Sequence, residues 1–152
     1  MSKKIIEKYF SDNDLKEIAS NINEVEKNTA GEIRLCVHIK KGFFDRKKSP
    51  REIAVNQFLK LGMHKTKHRT GLLIYLLLND KKFEIIADEG INKIIEISTW
   101  DSIEDTIRQE FKDGNYLQGV LHCINLIGEK LKIHFPRESD DTNELSNDVV
   151  VK

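Results

Sequence analysis

The chain has 152 residues, with Lys plus Arg and Asp plus Glu at 25 each, so its formal net charge is zero. Balanced charge excludes the global field that draws a protein to nucleic acid or to a membrane, so any electrostatic partner must be read locally, and the length suits one domain able to bury a core. The longest apolar run, residues 72–78, is far shorter than the ~20 residues that cross a bilayer, so no transmembrane segment is expected.

The opening MSKKIIEKYFSDND carries only scattered apolar residues and lacks the apolar core of a secretory signal, which points to a cytoplasmic protein. Ser11 and Asp14 stand at capping-box spacing, and Leu15, Ile18, Ala19, Ile22 and Val25 recur at helical spacing, predicting a helix over 12–27. In GEIRLCVHIK, Ile33, Leu35, Val37 and Ile39 alternate with polar or mixed residues, as in a strand with one buried face. Cys36 and His38 share its other face, and Cys123 sits beside the apolar stripe of the last predicted helix; two cysteines make no disulfide framework, so both are expected as free thiols.

After the basic segment KGFFDRKKSPRE, Ser49-Pro50 supplies a cap and a first-turn proline for a second helix that ends at Gly62. The unbroken apolar run 71–78 then reads as a parallel strand covered on both faces, which completes a right-handed βαβ unit. Residues 79–82 are too few for a crossover, so strand 82–87 returns antiparallel. A two-residue turn there would set Asp88 across from Leu73 and Glu89 across from Leu72.

Three more helices follow: a short one over 91–97, a capped one over 101–112 with Trp100, Ile103, Ile107 and Phe111 on one stripe, and a long one over 116–133. The resulting architecture is α/β, with a small mixed sheet between helices on both faces and a single domain over 1–136. Residues 137–152 show no amphipathic period and are expected as a tail without regular structure, a docking strand over Val149 to Val151 being the lesser alternative to a frayed end.

The segments TAGEIRLCV, FLKLGMHKTKHRTGLLIYLLLNDKKFEIIADEGI and FKDGNYLQGVLHCINLIGEKLKIHFP, with Trp100 between the last two, resemble the TPM domain, the thylakoid-lumen phosphatase-like family. The resemblance covers roughly residues 10–136 and implies a Rossmann-like αβα sandwich. Many relatives carry a signal peptide and a membrane anchor; this chain is similar to the short soluble branch. A phosphatase activity is ascribed to the plant lumenal relatives, which bind divalent cation through acidic residues.

Two ends of the sheet offer sites. At one, Asp88 and Glu89 supply two hard oxygens for Ca2+ or Mg2+, with Arg69 within reach and Glu32 as a third oxygen if its strand lies alongside; the competing reading is an ion pair at a solvated strand end. At the other, Asp80 stands with Lys40 and Lys41 beyond the carboxyl ends of the parallel strands, where open α/β sheets bind ligands. The two lie one strand apart, about 20 Å, too far to cooperate. His64 and His68 have zinc-like spacing but follow a helix stop and lack the glutamate of HExxH.

Phe43 and Phe44 amid lysines invite either nucleic-acid stacking or a protein anchor, and the balanced charge speaks against nucleic acid. No nucleophile, base and orienter constellation is readable. The sequence therefore favours a noncatalytic binding or assembly module with a protein partner, membrane-associated in one version; the alternative is a low-turnover, cation-dependent phosphatase acting on phosphate monoesters.

Overall fold

Ser11 and Asp14 close the capping box that starts α1, Asp12–Glu26: the Asp14 amide donates to Ser11 Oγ at 3.0 Å, and the Ser11 amide to Asp14 Oδ2 at 2.9 Å. This is a computed structural model, and it describes residues 5–138 and 143–152. The buried stripe of α1 is Ile18, Ile22 and Glu26, so helical periodicity carries a carboxylate into the interior. Phe10, just before the cap, is fully buried against the same core.

β1 (Glu32–His38) and β2 (Gly71–Leu77) run parallel, from Glu32 opposite Gly71 to His38 opposite Leu77. Between them α2, Pro50–Lys60, starts where the Glu52 amide donates to Ser49 Oγ at 3.1 Å. β2 is buried along its whole length because both faces are covered. Leu72, Ile74 and Leu76 face a core shared with α1 and the two later helices, whereas Leu73, Tyr75 and Leu77 face α2 through Ile53, Ala54 and Phe58. α/β layering with helices on both faces is thus as the residue pattern predicts.

β3, Lys82–Ala87, returns antiparallel, and the described strands form one mixed sheet in the order β3-β2-β1-β4. The two-residue turn is corrected: Leu77 pairs with Lys82, so residues 78–81 form the loop, closed by Lys81 in the left-handed region at φ 53°. The register consequently moves by two residues, Leu72 facing Ala87 and Leu73 facing Ile86. Asp88 lies opposite Gly71, to whose carbonyl its amide donates at 2.9 Å.

α3 is a single turn, Glu89–Asn92, two residues ahead of the predicted start; α4 (Thr99–Lys112) and α5 (Tyr116–His134) pack on each other, and α4 also contacts β3. The tail reading is also corrected. β4, Val150–Val151, pairs parallel with β1 through Cys36 and Val37, and the Lys152 amide donates to the Val37 carbonyl at 2.9 Å. Without it β1 would present an open row of donors and acceptors, and β-branched valines fit that edge. Of the predicted tail, residues 139–142 lie outside the described residues.

Candidate functional site

Arg69 adopts φ 57° in the loop entering β2, a left-handed conformation uncommon for a side-chain-bearing residue. The turn aims its guanidinium at the end of β3. Nε donates to Asp88 Oδ2 at 2.7 Å and Nη2 to Asp88 Oδ1 at 2.8 Å, while Nη1 reaches Glu89 Oε1 at 3.2 Å. Asp88 Oδ1 also accepts the Glu89 amide at 2.8 Å, capping α3. The approach is close enough that the His68 and Arg69 carbonyls occupy the space a side chain on Gly90 would need.

Arg69, Asp88 and Glu89 are therefore brought together, as their order along the hairpin predicts. The hydrogen bonds that it donates to Asp88 hold the Arg69 guanidinium further toward its charged form. A bidentate fork and a cap occupy both oxygens of a carboxylate whose side chain is 5% exposed, which makes Asp88 a poor donor to a cation. Among the described residues no three His, Cys, Asp or Glu side chains cluster so as to hold a metal ion, His64 and His68 included.

Glu32 does not join that group. It shares a sheet face with Asp88, but Gly71 stands between them, and the Met63 carbonyl fills the place of the missing side chain. Its neighbour is instead Glu26, which the sequence reading passed over. The Ile33 amide donates to Glu26 Oε2 at 2.8 Å, and the Leu145 amide to Glu32 Oε1 at 2.6 Å. Burial raises Glu26 to about 8 and Glu32 to about 7, with the charge of Glu32 adding to the rise at Glu26. The signal was available: Glu26 continues the i, i+4 row of Ile18 and Ile22.

At the opposite end, the Leu78 and Asn79 amides donate to the His38 and Ile39 carbonyls, extending the parallel pairing toward Lys40 and Asp80. Asp80 and Lys40 are both exposed and form no ion pair among the described residues. Lys41 Nζ donates to the Lys48 carbonyl at 2.9 Å, and Lys48 pairs with Asp45 at 3.1 Å, which ties the loop into a compact shape. At its tip, in the one-turn helix Phe43–Asp45, Phe43 is 72% and Phe44 89% exposed, and the Arg46 guanidinium lies 5.0 Å from the Phe43 ring centre. Behind the loop, Tyr75 Oη and His38 Nδ1 are hydrogen-bonded at 2.7 Å; burial lowers the His38 pKa and raises the neighbouring Cys36 thiol to about 11. Cys36 and His38 thus belong to the covered face.

The family model for the TPM domain matches residues 6–130. The chain belongs to the TPM domain family. Among solved structures, the TPM domain of this chain is similar to the BA42 protein of the psychrophilic bacterium Bizionia argentinensis, solved by NMR, at 34% identity and a TM-score of 0.85, over 95% of this chain and 96% of that one. Two more distant likenesses show the fold alone. They are the N-terminal domain of a protein from P. gingivalis (16% identity, TM-score 0.69, covering 84% and 79%) and the N-terminal domain of cg2496 from Corynebacterium glutamicum (13%, 0.60, covering 80% and 74%). No curated protein matches the chain significantly. No helix among the described residues is long and apolar enough to cross a membrane.

Proposed function

We propose that this TPM domain is a noncatalytic binding module that docks on an anionic membrane surface through the loop of residues 40–48. The observation that carries this reading is the adjacent pair Phe43 and Phe44, 72% and 89% exposed at the tip of a basic loop. Two rings of roughly 150–250 Å² each fall well short of the ~800 Å² per partner of a standard protein interface. They suit insertion at a headgroup boundary, where apolar side chains and lysines act together. Lys40 and Lys47 make no ion pair among the described residues, and a cation near an anionic bilayer contributes about 1 kcal/mol.

The phosphatase reading has less support, because the acidic turn commits its carboxylates to Arg69 and to the α3 cap. Co-sedimentation with phosphatidylcholine vesicles, with and without phosphatidylglycerol, tests the proposal. Binding is expected only to the anionic vesicles, weakening with added salt and lost in F43S/F44S. A parent protein that stays in solution with anionic vesicles overturns membrane docking and returns the loop to a protein partner. Cation-dependent phosphate release from an aryl phosphate, abolished by D88N/E89Q, would restore the enzymatic reading instead.

A further inference from the structure

A cavity of about 420 Å³ opens beside the β2–β3 loop, against the junction of α4 and α5. It lies at the carboxyl end of β2, the end at which open α/β sheets bind ligands. Its walls are aromatic. Phe83 meets Phe111 with ring centres 5.0 Å apart, Phe111 meets Tyr116 at 5.0 Å, and Tyr116 meets Tyr9 at 4.8 Å, all edge to face. Phe83 is buried, but Tyr9, Phe111 and Tyr116 stay partly open, so the chain of rings ends on accessible π surface instead of closing into the core.

The charge of the lining has one sign. Lys81, Arg108 and Lys112 line the cavity and no Asp or Glu does, in a chain whose acids and bases are equal in number. Arg108 is engaged by Asp105 at 2.9 Å and Glu104 at 3.8 Å. Lys81 and Lys112 have no ion pair among the described residues. Lys81 is moreover the left-handed residue of the hairpin loop, a position where glycine costs least and a side chain costs about 1–2 kcal/mol. The loop thus accepts strain while holding an ammonium group at the mouth of an aromatic cavity.

We propose that this cavity binds a small aromatic anion, a planar ring bearing a phosphate or carboxylate. The ring packs against Tyr9, Phe111 and Tyr116, and the anion pairs with Lys81 and Lys112. An aliphatic anion would leave the π surface unused. A neutral arene would leave the lysines unpaired.

The test is an NMR titration of the full 15N-labelled chain with 1-naphthyl phosphate, 2-naphthoate, 2-naphthol and inorganic phosphate. The two aromatic anions are expected to give saturable shifts in residues 78–83 and 108–117, with affinity at least about tenfold above that of 2-naphthol or inorganic phosphate. A preference between the phosphate and the carboxylate identifies which acid the site takes. K81Q/K112Q should lose at least about tenfold for the anions while its melting temperature and residual 2-naphthol binding stay unchanged. Phe111→Leu, which keeps bulk but removes the ring, should weaken both aromatic anions and leave inorganic phosphate as it was. No saturable shifts, shifts confined to residues 40–48, or undiminished binding by K81Q/K112Q would each overturn the proposal.

Discussion

Glu26 and Glu32, each only 4% exposed, line one small cavity, and each keeps one carboxylate oxygen without a hydrogen-bond partner among the described residues. Two acids on neighbouring elements, α1 and β1, are thus held in low-dielectric surroundings where the charged form is disfavoured.

Stability should consequently fall as the solution turns alkaline. Both groups have folded-state values raised above the ordinary 4.5, to about 8 and about 7, so the folded state keeps protons that the unfolded chain releases. The associated stability is fully present below about pH 4.5 and is lost as pH rises through the folded values, the pair titrating together. Urea unfolding at pH 5 and at pH 9 is expected to differ by roughly a few kcal/mol, because a carboxyl protonated only in the folded chain changes stability by on the order of 1 kcal/mol for every pH unit crossed. Glu26→Gln should flatten the profile and gain stability at the alkaline end. An unchanged slope in that variant would show that the pair is not its source.

The ion pair at the acidic turn makes a second, separable prediction. Removing Arg69 leaves the buried Asp88 carboxylate without its fork, so Arg69→Gln should lower stability clearly, though by less than breaking a wholly buried pair, because Arg69 itself is half exposed. Glu89→Gln, at a side chain 57% exposed, should stay within about 0.5 kcal/mol. Denaturant midpoints for the two variants settle the comparison, and equal losses would mean that Asp88 does not depend on Arg69.

Hydrogen exchange should rank the strands. β2 pairs on both edges and is buried on both faces, so the amides of Leu73, Ile74, Tyr75 and Leu76 are expected to be the slowest in the molecule. Faster exchange there than in α5 would contradict the central position of β2.

These features differ in how plainly the residues announce them. The seven-residue apolar run of β2 and the Ser49-Pro50 cap are local signals, and both elements lie where periodicity places them. The Arg69–Asp88–Glu89 cluster was legible too, because any hairpin that returns β3 along β2 carries its end back to the start of β2. The turn length was not, since Lys81 takes a left-handed conformation that gives a lysine no distinguishing mark. Glu26 was obscured because an acid on a helix normally faces solvent, and only its place behind Ile18 and Ile22 says otherwise. The valines at 149–151 suggest a docking strand but do not decide it against a frayed end; what recruits β4 is the open edge of β1, visible only once the sheet order is known.

Removal of residues 145–152 tests that recruitment. The deletion takes away the β4 pairing and the amide that Leu145 donates to Glu32, leaving a buried carboxylate with fewer partners. The melting temperature should fall by roughly 2–4 °C for each kcal/mol lost in a domain of this size. Exchange of the Ile39 amide, which donates to the Lys152 carbonyl at 3.3 Å, should accelerate by a larger factor than exchange in β2. A truncated chain that melts like the parent would show that β4 adds nothing to the sheet.

The pairing of Cys36 with Val150 also fixes an order of events during synthesis. β2 and its hairpin partner leave the ribosome soon after β1, but the residues that cover the other edge of β1 emerge only after α4 and α5 have been made. Until then a nascent chain with most of its core in place presents an uncovered strand rich in Ile, Leu and Val, a template for pairing with a second chain. Slowing translation between α5 and β4 should therefore raise the yield of aggregated or strand-exchanged product, a vulnerability that lies in assembly and leaves no trace in the folded protein's equilibrium stability.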